Sequence, residues 1–218
     1  MLKFGSAGEI RDMAGEALAG RIAFVTGGLR GIGFAAAKRL LADGARVVIG
    51  DLDDPDDAQG VIDSLGAGAI YVRLDVTDEA DWAAALALIN ERYGRLHILV
   101  NNAGTDLTGP VEAIAMQDWR RIMAVNVDGV FLGARTFTPL LAASGADVAG
   151  GASIINVSSI MGLVGYADTS AYNATKGAVR LFTKGIAIAT AAWARYTAIP
   201  MPPSVDASVA STTACTAA

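Results

Sequence analysis

Tyr172 and Lys176 are the residues whose types and spacing most directly suggest chemistry. Four residues apart on a helix, their side chains share one face. A free phenol ionises at about pH 10, so a tyrosine acting as a base near neutrality needs positive charge beside it. The Lys176 ammonium supplies such a charge, and the pair can take a proton from an alcohol or return one to a ketone. The upstream run Thr26-Gly27-Gly28-Leu29-Arg30-Gly31-Ile32-Gly33 suits a different task. Its glycines permit positive φ and let backbone N–H groups close on an anion. The helix that follows offers unpaired N–H donors and the positive end of its dipole. A dinucleotide pyrophosphate fits this loop, cradled by the backbone of Gly27, Arg30, Gly31, Ile32 and Gly33. Asp51 stands at about the spacing of an acid that accepts hydrogen bonds from an adenosine ribose. With Asp53, Asp54, Asp56 and Asp57 behind it, a ribose 2′-phosphate meets like charge. Arg30 lies within reach of such a phosphate, but Asp51 faces the ribose directly, so NAD is expected over NADP.

The elements that must position these groups follow from the pattern. Short apolar runs at Ile22–Thr26, Ala45–Gly50, Ala69–Leu74, Leu96–Asn101 and Ala152–Val157 alternate with helical stretches. Those stretches are Ile32–Ala42, the acidic and then helical Leu52–Leu65, Glu79–Tyr93, a long helix Asp118–Leu141, and Ser170 to about Trp193. Continuous apolar runs indicate parallel strands buried on both faces. Right-handed crossovers then give an α/β fold, a doubly wound, Rossmann-like parallel sheet with helices on both faces. The division expected is an N-terminal arm over 1–20, a dinucleotide-binding and catalytic domain over 21–189, and an irregular tail over 190–218. Pro200, Pro202 and Pro203 stop any helix in that tail.

Further motifs stand at Asp75-Val76, Asn101-Asn102-Ala103-Gly104, Asn126, Ser159 and Tyr172-Asn173-Ala174-Thr175-Lys176. Together with the glycine loop, in this order and at these spacings, they resemble the short-chain dehydrogenase/reductase family over roughly residues 20–188. The resemblance implies that Asp75 and the Val76 backbone hold adenine, and that Asn102, Ala103 and Gly104 run beside the cofactor while Asn101 braces the sheet. It selects Ser159, thirteen residues before Tyr172, as the serine that holds the substrate oxygen, leaving Ser158 as a local backbone partner. It implies that Lys176 also binds the nicotinamide ribose, and that Asn126 holds a water on a proton path to Lys176. The catalytic set is then Asn126, Ser159, Tyr172 and Lys176. Met161, Leu163, Val164 and Tyr166 fall where the family lines its substrate cleft, which points to an apolar or cyclic secondary alcohol or ketone. The resemblance also implies a homo-oligomer, with a dimer formed through the two long helices and a tetramer less secure.

Composition narrows the alternatives. The 218 residues are 53% hydrophobic and 18% charged with a net charge of −5, and their basic residues are scattered. A nucleic-acid partner is not expected without a basic stripe, and a membrane span is not expected without a long apolar run. No secretory leader is recognisable, so a cytoplasmic location is expected. Cys215 is the lone cysteine, and His97 has no partner ligands in sequence, so no metal is expected. Trp82 and Trp119 are expected to pack. After Ala189 the family's later strands are not recognisable. The expectation is a tail truncated or out of frame relative to an ordinary ancestor, with C-terminal strands missing and the fifth strand left at an edge. A catalytically impaired dinucleotide-binding or scaffold protein is the alternative reading.

Overall fold

The computed structural model describes residues 17–146 and 148–190. The expectations for 1–16, for 191–218 and hence for Cys215 lie outside these residues.

Five strands form one sheet: β1 (Ile22–Thr26), β2 (Arg46–Asp51), β3 (Ala69–Arg73), β4 (Ile98–Asn101) and β5 (Ser153–Asn156). All pairings are parallel and the order is β3-β2-β1-β4-β5. The helices between them are α1 (Gly31–Ala42), α2 (Pro55–Leu65), α3 (Glu79–Tyr93), α4 (Met116–Met123), α5 (Gly129–Gly145) and α6 (Ser170–Thr190). The order turns back between β1 and β4, a switch point that opens a crevice at the carboxyl ends of the strands. Among the described residues no sixth strand follows α6, so β3 and β5 are the edges.

Alternation along the central strands builds two cores. Ile22, Phe24 and Val48 face α3 and α5, joining Trp82, Ile89, Phe137 and Leu141. Ala23, Val25, Val47 and Ile49 face the opposite way, joining Ala37, Ala58 and Ile62 of α1 and α2. Phe24, Trp82 and Phe137 meet edge to face, with ring centroids 5.3–6.2 Å apart. Burying each ring contributes about 1.5–3 kcal/mol or more, so this triad anchors one side of the sheet. Trp82 Nε1 donates to the Val76 carbonyl at 2.9 Å. Trp119 is half-buried.

The long helix differs from its expected form. The helical run extends from Met116 to Gly145 but contains a π turn at Ala124–Asp128 and Pro139 inside α5. The turn centres on Asn126, whose side chain bonds away from the helix, and asparagine competes poorly for α-helical geometry.

Candidate active site

Every candidate residue except those on helices lies at or just beyond the carboxyl end of a strand. Beyond β1, the loop is locked to β4 by Thr26, whose Oγ1 accepts from the N–H groups of Asn102 and Ala103 at 3.0 Å each. Asn102 Nδ2 donates to the carbonyls of Thr26 and Gly27 at 2.9 and 3.0 Å. Its side chain therefore braces the glycine loop. Gly27 has φ +63° and Gly31 φ +57°. A Cβ on Gly33 would lie 2.2 Å from the Gly27 carbonyl oxygen, and one on Gly27 would lie 2.9 Å from the Ala103 Cα. A Cβ on Gly31 would meet open space. The loop is thus packed tightly on its inner side and open on the side where α1 presents its first N–H groups, uncapped by any side chain. This cradle fits a pyrophosphate. Ile32, in the first turn of α1, is exposed.

Asp51 ends β2 and is buried. Its carboxylate accepts from the N–H of Leu29 at 3.1 Å and of Leu52 at 2.9 Å. A carboxylate has about four acceptor sites, so capacity remains for ribose hydroxyls. Arg30 reaches across to Asp53 at 3.6 Å. The sequence did not single out Tyr71, yet its one hydroxyl proton is shared between the carbonyls of Asp51 and Asp53. Burial, reinforced by the Asp51 and Asp53 carboxylates, pushes the phenol up to about 12, so it remains a donor and holds this acidic turn in place. Asp75 Oδ1 accepts from the Thr77 N–H and hydroxyl, and the Asp75 N–H donates to Asp81. Val76 is buried against Gly129.

The expected catalytic set divides between β5, α6 and the π turn. Lys176 is buried on α6. Its Nζ donates to the Val157 carbonyl at 3.0 Å and sits 5.6 Å from the centre of the Tyr172 ring. Burial pushes the lysine ammonium below its usual range. Asn126 is also buried. Its Oδ1 accepts from Thr105 N–H, and its Nδ2 donates to Thr105 O and to Thr175 Oγ1, at 2.8, 2.8 and 3.1 Å. A Cβ added to Gly104 would lie 3.3 Å from Asn126 Oδ1 and 3.7 Å from Lys176 Nζ. The structure therefore gathers Gly104, Asn126 and Lys176 at one point. Ser159 Oγ accepts from Met161 N–H at 3.1 Å, which leaves its own proton free to donate. Ser158 Oγ donates to the Lys176 carbonyl at 2.9 Å. Asn101 donates to Asn156, which donates to Thr183 of α6, so it ties β4 to β5 within the buried sheet. Met161 and the exposed Leu163, Val164 and Tyr166 follow Ser159. His97 lies away from this site, with Nδ1 accepting the Ile22 N–H at 3.0 Å. Among the described residues no group of three or more His, Cys, Asp or Glu is placed to hold a metal ion.

Comparison with known proteins assigns the class. The family model for short chain dehydrogenases matches residues 21–213. The chain belongs to that family. It is 44% identical over 171 residues to a 3-alpha-(or 20-beta)-hydroxysteroid dehydrogenase of Mycobacterium tuberculosis (strain ATCC 25618 / H37Rv), covering 78% of this chain and 64% of the relative. It is 39% identical over 175 residues to an NADP-dependent (R)-specific alcohol dehydrogenase of Lentilactobacillus kefiri, covering 79% and 68%. A crystal structure of 3-ketoacyl-(acyl-carrier-protein) reductase from Brucella melitensis complexed with NADH superposes with a TM-score of 0.75 at 35% identity, covering 81% of this chain and 72% of that one. The chain spans just under two thirds of the length of the mycobacterial relative.

Proposed function

We propose that this chain is an oxidoreductase that transfers a hydride between NAD(H) and a secondary alcohol or ketone with an apolar or cyclic body. The observation that carries the reading is the placement of Lys176 Nζ beside the Tyr172 ring and against Gly104. It supports acid–base chemistry beside a cofactor-lining backbone at one end of the sheet. Tyr172 takes the alcohol proton on its phenolic oxygen, or returns it to the ketone oxygen. Lys176 holds positive charge near that oxygen and donates to the nicotinamide ribose. Ser159 donates its free proton to the substrate oxygen and stabilises charge developing there. Asn126 ties Thr105 to Thr175, the residue before Lys176, beside the water path that delivers protons to Lys176. When bound, the nicotinamide supplies the hydride acceptor or donor for the carbinol carbon. The loop of Gly27, Arg30, Gly31, Ile32 and Gly33 holds its pyrophosphate, with Ala103 and the brace of Asn102 behind, and Asp75 with the Val76 backbone holds the adenine.

We infer that the cofactor is NAD. Asp51 is buried at the ribose corner with acceptor capacity to spare, and the Asp53 carboxylate, 3.6 Å from Arg30, adds negative charge against a 2′-phosphate. The Brucella reductase was solved with NADH, whereas the Lentilactobacillus relative is NADP-dependent, so the family name alone does not decide the choice. We further infer a dimer through α5 and α6, where Phe131 packs on Phe182 beside the exposed Leu181 and Ile188.

The test is NADH formation from secondary alcohols by the full chain and by Tyr172→Phe, with NADH affinity measured calorimetrically on both. Turnover that falls at least 100-fold in the variant, with NADH binding retained, supports the proposal. NADH binding without wild-type turnover on any alcohol rejects it in favour of a dinucleotide-binding or scaffold role.

A further inference from the structure

We propose that Asn173, the residue after Tyr172, is a positioning residue that makes the 160–169 loop a wall of the substrate site. The inference rests on the proposed function above. The loop leaves β5 at Ser159 and re-enters α6 just before Tyr172, so it joins the two groups that face the reacting oxygen. It begins with a short 3-10 turn, Ile160–Gly162. Four of its apolar side chains stand open: Ile160, Leu163, Val164 and Tyr166 are 49–71% exposed. A loop with this much exposed apolar surface needs something else to hold it in place.

Asn173 supplies that hold. Its Nδ2 donates to the Met161 carbonyl at 2.8 Å and to the Val164 carbonyl at 2.6 Å. Carbonyl oxygens can only accept, so the amide nitrogen must be the end that faces them. Its Oδ1 then meets the Thr169 hydroxyl, whose one proton it shares with the Tyr166 carbonyl. One side chain thus grips the loop near its beginning, its middle and its end. The loop also touches α6 directly: a Cβ on Gly162 would lie 2.7 Å from the Lys176 carbonyl oxygen. Glycine therefore permits the close approach at one point, and Asn173 sets the path of the remainder. Through these bonds Asn173 fixes how far Leu163, Val164 and Tyr166 stand from Ser159 and Tyr172. Its effect on substrates is indirect, through the loop, and it discriminates by the size of the apolar body.

The experiment compares cyclohexanol with propan-2-ol, using NAD+ and the full chain. Asn173→Asp keeps the side-chain shape but has no N–H to donate to the two carbonyls, and an acid in the first turn of a helix is tolerated. Asn173→Ala removes the side chain. Amide hydrogen exchange of residues 160–169 is measured alongside. The expected result is a fall of at least tenfold in the cyclohexanol-to-propan-2-ol ratio of kcat/KM in both variants. The change should lie mainly in the KM for cyclohexanol, with faster exchange in the loop and partial recovery in Asn173→Gln. If Asn173→Ala does not fold, Asn173→Asp decides alone. A ratio within twofold of wild type in Asn173→Asp overturns the proposal. Absence of wild-type turnover on both alcohols overturns the functional reading instead. Exchange then judges the grip by itself: faster loop exchange in Asn173→Asp upholds it, and unchanged exchange overturns it.

Discussion

Asp51 has two jobs that pull in one direction. Its carboxylate accepts the Leu29 N–H and so anchors the glycine loop, while its charge sits where a ribose lies in the proposed complex. Asp51→Asn removes the charge and keeps one oxygen to accept the Leu29 N–H, giving up the acceptor that faces the Leu52 N–H. The expected outcome is a fall of at least fivefold in the ratio of the NADPH to the NADH dissociation constant, measured by fluorescence titration. An unchanged ratio would show that Asp51 does not discriminate by charge. At this scale, residues whose type suggests chemistry stand out in the sequence: Tyr172, Lys176, the glycines and Asp51. Several residues that act by holding backbone do not. Tyr71, Asn173, Thr26 and Thr175 are ordinary strand, loop and helix residues until their hydroxyls and amides are seen to meet particular carbonyls and N–H groups. Those partners lie up to 77 residues away, and spacing along the chain does not encode them.

Among the elements, α5 and α6 carry the proposed dimer interface. Phe131 on α5 is 46% exposed, and Leu181 and Ile188 on α6 are 67% and 61% exposed. Apolar side chains this open, on two neighbouring helices, form a patch suited to burial against a second copy. A charge within it should prevent that burial. Leu181→Asp is expected to convert a dimer to a monomer in sedimentation equilibrium while leaving the far-ultraviolet dichroism unchanged. A wild-type chain that sediments as a monomer would refute the interface. Five strands and the surrounding helices were legible because buried parallel strands are continuous apolar runs with helical periodicity between them. The ends were less so. Leu96 and His97 look like strand residues, yet β4 is bounded at Ile98: Leu96 N–H turns to Ser144 Oγ, while the His97 backbone still bonds Ile22 and Ser153 on either side. The π turn at Asn126 was also hidden, since five residues of altered winding leave the apolar pattern on both sides intact.

For the molecule as a whole, His97 links folding to pH. It is buried where β1 and β4 start, and its Nδ1 accepts the Ile22 N–H. Burial, with Arg21 and Arg95 adding repulsion, holds the imidazole below its ordinary 6.5. Below pH 6.5 the unfolded chain binds a proton that the folded chain refuses, so stability rises with pH across that window. The contribution is complete above about pH 6.5 and is lost as pH falls toward the lower folded-state value. His97→Asn offers an acceptor that does not titrate. Urea unfolding at pH 7.5 and pH 5 should show wild type losing stability relative to this variant at the lower pH, whereas a gap that stays constant would exclude the linkage. The doubly wound architecture and its crevice followed from the element order, since few topologies satisfy alternating strands and helices. The mutual placement of Gly104, Asn126 and Lys176 did not, because it depends on three elements converging from separate parts of the chain.

The π turn gives the long helical run a place to store a residue. Each residue of an α-helix advances the winding by about 100°. The wider turn at Ala124–Asp128 takes up one extra residue without passing that rotation on to α5. Val130, Gly133, Phe137 and Leu141 therefore form a stripe that keeps its aim. Shortening the run by one residue within the turn is expected to restore regular winding and leave Phe137 against Phe24 and Trp82, while displacing Asn126 from Thr105 and Thr175. The stored residue serves the site, not the core.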